Sequence, residues 1–335
     1  MKYHKKIFLD YSDMKYPLPQ GLVKKLCNYI AELNLYPSGD YTSLKKKIAN
    51  KVGVLIDQVL IGNGLDEIID LVTRAFGTKV LIPTPTFSQF EIAAKRKNCN
   101  IILKNCLIND KYELMFEDDE LRKSNLIWIC NPNNPTGTKI EREQIIKVLN
   151  KAKGVVVVDE CYYDFLKETV IDLINKYDNL IVLRSFSKGY GLAGARLGYA
   201  LSNSELINKM ESFRQIFSVN KIAEKAGELV LDYEDYYVKK RELIERIRDD
   251  FIINLRRIGI KVFDSFTNFV LIKLNDNNEM IELYDYLKKN NIIVLPAKDD
   301  EFTGLNGPYI RITIGLKEEM EFVFERIKEW KNKKK

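Results

Sequence analysis

The sequence is almost devoid of histidine: His4 is the only one in 335 residues. That scarcity excludes a Ser-His-Asp triad, a Cys-His dyad and any zinc site built on two imidazoles. Proton transfer must fall to Lys, Asp, Glu, Tyr or a bound cofactor, and no metal is expected. The five cysteines (Cys27, Cys99, Cys106, Cys130 and Cys161) are odd in number and include no closely spaced pair. They read as reduced thiols of a cytoplasmic protein, not as a disulfide framework. No apolar run reaches the length of a membrane span; residues 154–158 are strand-length, so no membrane partner is expected. Residues 1–10 carry charge but no apolar core, which argues against a secretory signal. Charge of one sign is scarce too. With 53 Lys+Arg against 47 Asp+Glu, the net +6 is dispersed, and a nucleic-acid partner is not expected. The basic run at 331–335 reads as a solvated terminus. There is no internal repeat and no low-complexity tract.

What remains is globular: 46% hydrophobic and 30% charged residues, in a chain longer than one core comfortably holds. Short apolar, β-rich runs at 58–61, 79–82, 100–103, 125–130, 154–159, 179–183 and 198–200 alternate with amphipathic segments such as 66–76, 88–97 and 141–151. Continuously apolar strands separated by helices predict an α/β fold, a mostly parallel seven-stranded sheet covered on both faces. After residue 220 the pattern changes. A long charged helix is expected over 222–257, with Gly227 its only interior breaker. Strands follow at 261–263, 269–274, 292–295 and 309–314, with helices at 277–289 and 317–331, which together predict a smaller α+β unit. The expected organisation is an arm over 1–34 that packs with the small unit or a partner subunit, a large domain over 35–225 and a small domain over 226–335.

Polar or Gly/Pro-rich segments fall directly after five of the expected strands, where open α/β sheets bind ligands. In Ser185-Phe186-Ser187-Lys188-Gly189, two hydroxyls precede a lysine, and Arg196 follows eight residues later. Hydroxyls and a guanidinium fork suit a phosphate. Asp159 ends the run Val155-Val156-Val157-Val158, and a carboxylate there is costly without a cationic partner. A protonated pyridine nitrogen is such a partner; a structural ion pair is the plainer alternative. Asn131-Pro132-Asn133-Asn134-Pro135-Thr136-Gly137, taken alone, is a turn-rich loop. Gly62-Asn63-Gly64-Leu65-Asp66 is a glycine turn opening a helix, whose free N–H groups suit an anion or merely a cap.

Taken together, these segments resemble the active-site set of the fold-type I aminotransferases that use pyridoxal 5′-phosphate (PLP), with the histidinol-phosphate aminotransferases the nearest branch. The resemblance runs in family order from Leu9 to Trp330. It implies that Lys188 holds PLP covalently as a Schiff base and then carries the Cα proton. Asp159 would pair with the ring nitrogen, and Tyr162 and Asn134 would bond the ring oxygen. The phosphate would lie against Ser185, Ser187, Arg196 and the backbone N–H groups of Leu65 and Asp66, after the turn at Gly64. Phe87 would stack on the ring, and Arg311 would clamp a substrate carboxylate beside Asn134. Tyr11 is expected in the substrate pocket. Tyr36 would reach the neighbouring subunit's site, which implies a homodimer. The implied reaction is ping-pong transamination between an amino donor such as glutamate and an oxo acceptor, in histidine biosynthesis.

The sequence departs from that branch at 291–298, where an arginine that helps hold the substrate phosphate is missing and Lys298 is the nearest cation. Asp10-Tyr11-Ser12-Asp13 also departs. Asp10-Tyr11-Ser12, Leu183-Arg184-Ser185 and Phe302-Thr303-Gly304-Leu305 resemble threonine-phosphate decarboxylase, whereas Gly189-Tyr190-Gly191-Leu192-Ala193-Gly194 resembles the aminotransferases. An aromatic amino-acid aminotransferase is the third reading, its pocket apolar where a phosphate clamp would be.

Overall fold

The apolar runs do become one sheet. The computed structural model describes residues 5–297 and 301–334, so His4 and Lys298 lie outside the described residues. The strands are β1 (Val59–Gly62), β2 (Lys79–Thr84), β3 (Asn100–Asn105), β4 (Leu126–Cys130), β5 (Val155–Asp159), β6 (Leu180–Ser185) and β7 (Gly198–Leu201). Their order is β1-β7-β6-β5-β4-β2-β3, and β7 alone runs against the other six. Every residue of β4, β5 and β6 is buried. Val156 and Val158 join one core cluster while Val155 and Val157 join the other, on the opposite face. A two-residue side-chain period with both sets apolar is what a doubly covered strand requires.

The second unit is an antiparallel sheet of β8 (Lys261–Val262), β9 (Phe269–Lys273), β10 (Leu295–Pro296) and β11 (Tyr309–Thr313), in the order β8-β9-β11-β10. Helices Asn277–Lys289 and Lys317–Asn332 accompany it. Two expectations need correction. The strand expected over 292–295 is split: Ile292–Ile293 pairs in parallel with Ile7–Phe8 of the arm, while Leu295–Pro296 pairs with β11. The helix expected over 222–257 is two helices, Lys221–Val230 and Glu234–Arg257, joined by a 3₁₀ turn at Leu231–Tyr233. Gly227 does not break it. A Cβ there would sit 2.3 Å from Leu197 Cδ2, so the glycine serves close packing inside the first helix. Lys47 reaches into this region instead, donating to the Glu228 carbonyl and to Asp232, both at 2.7 Å. Residue 226 therefore lies within a helix.

The arm threads between the units. Leu9 N–H donates to the Ile293 carbonyl at 2.7 Å, and the Leu9 carbonyl accepts from Thr313 N–H at 3.0 Å. Residues 10–13 are thereby carried to the carboxyl edge of the large sheet. A second short ladder pairs Thr86–Phe87 with Phe302–Thr303 across the same edge. Among the described residues no helix is long and apolar enough to cross a membrane, and no group of three or more His, Cys, Asp or Glu is placed to hold a metal ion.

Where β5 begins, the backbones approach closely: a Cβ at Gly154 would lie 2.4 Å from the Asn125 carbonyl carbon and oxygen. Gly154→Ala is expected to destabilise the chain by about 1–3 kcal/mol, because backbone cannot yield as a side-chain tip does. Gly194, with nothing within 4 Å of its Cβ position, is the control. Thermal unfolding should show a lower Tm for Gly154→Ala and little change for Gly194→Ala; equal values would contradict this packing.

Candidate active site

Five parallel strands end at one edge and deliver their following residues to one cleft of about 340 Å³. After β1 come Leu65 and Asp66, after β2 Phe87, after β4 Asn134, after β5 Cys161 and Tyr162, and after β6 Ser187 and Lys188. Asp159 and Ser185 are the last residues of β5 and β6 themselves. Tyr11, Arg196 and Arg311 complete the set expected from the sequence. Gly64 does not line the cleft but stands behind it. Its φ of +76° lies in the region that favours glycine, and a Cβ would meet the Arg196 guanidinium at 2.7 Å. Tyr36 is elsewhere: 78% exposed and stacked on Phe217 with ring centroids 4.8 Å apart. A larger groove, of about 580 Å³, lies between helices Glu234–Arg257 and Lys317–Asn332, and none of these residues lines it.

Asp159 sets the electrostatics. It is 2% exposed and accepts one hydrogen bond, from Cys161 N–H at 3.0 Å. Among the described residues no cation stands within ion-pair distance of it. Burial, the largest influence, pushes its pKa up to about 7, and the charge of Glu160 adds to that; the Cys161 bonds and Lys188 oppose it. Glu160 itself is satisfied. It accepts from Arg184 Nε at 3.0 Å and Nη2 at 2.9 Å, and from Thr169 and Val170 N–H. Two neighbouring carboxylates thus have opposite fates: one is paired internally, and the other is left facing the cleft.

Lys188 is partly exposed to that cleft, yet desolvation is the largest influence on it and draws its pKa below the ordinary lysine value. Its Nζ donates to Ser12 Oγ at 2.6 Å, and Ser12 Oγ also bonds Tyr162 Oη at 2.9 Å. Burial holds the Tyr162 phenol well above its usual pKa, so it stays protonated. Arg311, 2% exposed, donates through Nη1 to Asn134 Oδ1 at 2.8 Å and through Nη2 to the Asp10 carbonyl at 2.6 Å. Its Nε has no partner, and its guanidinium lies 5.0 Å from the Phe269 ring centroid and 4.9 Å from that of Phe302. A buried guanidinium held only by neutral oxygens and π faces is a receptor for an anion.

Arg196 stands across the cleft, half-exposed and paired with Asp66 at 2.9 Å. Ser185 Oγ accepts from Ser187 N–H at 3.0 Å. The Asn134 loop is held from behind, where the buried Asn133 donates to the Pro85 carbonyl at 3.1 Å and to Thr136 Oγ1 at 2.9 Å.

Sequence reasoning gave no site role to Ser12, Asp13, Cys130, Cys161 or Glu301, which also line the cleft. Cys161 lies beside Asp159 and Tyr162, both of them expected, and Ser12 and Asp13 follow Tyr11. Glu301 carries no local signal. The donor set fits the group that the resemblance implies. The unpaired Asp159 suits a protonated ring nitrogen, and Arg196 with the two serines and the helix start at Gly64 suits a phosphate.

Known proteins are similar to this chain over most of its length. Residues 4–327 match the Aminotransferase class I and II family. The histidinol-phosphate aminotransferase of Thermoanaerobacter pseudethanolicus is 34% identical over 330 residues, covering 96% of this chain and 92% of that protein. The crystal structure of the histidinol-phosphate aminotransferase from Clostridium acetobutylicum superposes with a TM-score of 0.88 at 27% identity, covering 98% of this chain and 99% of that one. That of Sinorhizobium meliloti, in complex with pyridoxal-5′-phosphate, superposes with a TM-score of 0.87 at 21% identity, covering 99% and 92%, and shares the fold.

The raised pKa of Asp159 has a stability consequence. The folded chain holds this proton up to about pH 7, whereas the unfolded chain releases it near the ordinary 3.8. Its contribution is therefore fully present below about pH 4 and is lost as pH rises through about 7, on the order of 1–4 kcal/mol in the protein without added ligand. Asp159→Asn should accordingly be more stable than the parent at pH 8 and nearly equal to it near pH 4. Urea unfolding at both pH values checks this; a constant difference would refute the linkage.

Proposed function

This chain belongs to the class I and II aminotransferase family, and from that membership we propose that it transfers the amino group of histidinol phosphate to a 2-oxo acid such as 2-oxoglutarate, by a ping-pong mechanism. It is a PLP-dependent aminotransferase. The observation that carries the reading is the convergence, in one cleft, of a desolvated lysine, a buried carboxylate without a cation and a buried guanidinium without an anion. When bound, PLP supplies an aldehyde to receive the amino group and a protonated ring that withdraws electrons from Cα.

The residues of this chain do the rest. Lys188 holds the cofactor covalently between turnovers. Released, it would be the amine that takes the proton from Cα, and burial draws its pKa below the ordinary lysine value. Asp159 would keep a proton on the ring nitrogen by supplying the missing charge, and Phe87 would be the aromatic face against the ring. Tyr162 and Asn134 orient the ring through its oxygen. Ser185, Ser187, Arg196 and the N–H groups of Leu65 and Asp66, behind Gly64, would hold the cofactor phosphate. Arg311 takes the carboxylate of the donor amino acid. Histidinol phosphate has a phosphate ester in place of that carboxylate, and the same fork serves it. Tyr11, at the cleft wall, contacts the substrate side chain.

Self-association completes the reading. Leu33, Leu35, Tyr36, Ile216 and Phe217 are exposed, an apolar surface of the kind a homodimer covers, from which Tyr36 would reach the partner's site. The five unpaired cysteines support a cytoplasmic location.

One observation favours a second reading. Of the cations lining the cleft, Lys188, Arg196 and Arg311 already have roles, while Asp13 and Glu301 add carboxylates. Among the described lining residues no cation beyond Arg311 is free for a substrate phosphate, which favours an amino acid without one, such as an aromatic one.

The purified enzyme should be yellow, absorbing at about 410–430 nm, and Lys188→Ala should lose both that band and turnover; a Lys188→Ala enzyme with normal turnover would overturn the assignment. Steady-state assays with 2-oxoglutarate as acceptor then separate the substrates. Fastest turnover on histidinol phosphate supports the first reading, and on phenylalanine the second. CO₂ release from threonine phosphate would replace both with a decarboxylase.

A further inference from the structure

The catalytic-type lysine is not held by its own loop. Ser12 comes from the arm, 176 positions away in sequence, and is 3% exposed; its Oγ accepts from Lys188 Nζ at 2.6 Å and bonds Tyr162 Oη at 2.9 Å. The backbone that carries it is tied down on both sides. The Ser12 carbonyl accepts from Asn268 Nδ2 at 3.0 Å, and the Asp10 carbonyl accepts from Arg311 Nη2 at 2.6 Å. Asp13 N–H closes a tight turn onto the Tyr11 carbonyl at 2.8 Å. A buried hydroxyl fixed this firmly between an amine and a phenol is a positioning device, not a surface residue that happens to touch them.

We propose that Ser12 is a positioning residue for the transamination: it fixes the rotation of the Lys188 amine so that the lone pair faces the reacting carbon, and it ties that orientation to the arm seated on Arg311. The inference rests on the reading of Lys188 as the proton-carrying lysine. A neutral amine has two N–H bonds and one lone pair. With one N–H directed to Ser12 Oγ, rotation about Cε–Nζ is restricted and the lone pair has a defined direction. Ser12 Oγ keeps a proton of its own for the phenol, or accepts the phenol's, so the three groups are mutually satisfied in either sense. The other charged or titratable groups facing Lys188 are Cys161, Asp13, Arg196, Arg311 and Asp159; none of them hydrogen-bonds Nζ. Removing the hydroxyl therefore leaves the amine without a guide while the anion-binding fork of Arg311 stays in place.

The test compares PLP-loaded wild type, Ser12→Ala and Ser12→Thr. Ser12→Ala should lower kcat by about tenfold or more while KM for the amino donor changes less than about threefold, the pattern of a lost orientation and not of lost binding. The deuterium isotope effect from a Cα-deuterated donor should increase, because proton transfer becomes slower than the other steps. The pH midpoint of the absorbance change should also move. Ser12→Thr, which keeps a hydroxyl on Cβ, should restore all three. A Ser12→Ala enzyme with unaltered kcat and isotope effect overturns the proposal, as does a threonine variant no better than alanine in every readout. Borohydride trapping followed by peptide mass analysis separates this from failure of the underlying reading. Wild type labelled at Lys188, with Ser12→Ala kinetically normal, sinks only the role of Ser12. Wild type unlabelled at Lys188 sinks both.

Discussion

An uncompensated carboxylate at the end of a fully buried strand is the constraint around which this molecule is arranged. Asp159 cannot move away from its position, because β5 is flanked by β4 and β6 in continuous register and both faces of the sheet are packed. Water cannot solvate it freely, and the chain offers it one backbone donor. The neighbouring Glu160 is the counterexample, since Arg184, Thr169 and Val170 satisfy it from within. The fold thus spends its internal cation on the carboxylate that faces inward. The other keeps its need for positive charge and faces the cleft. Rigidity of the sheet makes the need useful, since a mobile carboxylate would find water.

The same logic extends to the opposite wall. Arg311 arrives from the antiparallel sheet of the second unit with neutral partners only, and Lys188 arrives desolvated from the end of β6. Each of the three groups is costly alone. Together they describe the electrostatic outline of a molecule with a cationic ring, an anionic end and a carbon acidified between them.

Much of this was legible in the sequence, and the reasons are local. Seven apolar runs gave seven strands because strands buried on both faces must be apolar throughout, as Val155-Val156-Val157-Val158 is. Asp159, Ser185 and Lys188 stood out because polar residues abruptly follow such runs. The legibility ended where tertiary partners decide. Nothing in Ile292-Ile293-Val294-Leu295 tells that its first half pairs with the arm and its second with β11. Gly227 read as a breaker because helix propensity cannot sense Leu197 pressing on it. Ser12 and Glu301 were missed for the same reason: their place in the cleft depends on a short ladder to the arm and on one between Phe87 and Phe302.

Arg311 has a consequence for how such a protein can change over evolutionary time. Its guanidinium joins three segments distant in sequence: the Asn134 loop, the arm at Asp10, and β11, which carries it. A residue proposed to receive the ligand, and which also stitches the scaffold, is poorly placed to drift, because any new preference gained there loosens the seam. The rim is under no such double duty. Tyr11 is 63% exposed, and Asp13 and Glu301 bring charge to the cleft as side chains whose replacement leaves that seam closed. Divergence toward new substrates would therefore be channelled to the rim, where a change leaves the seam at Arg311 closed.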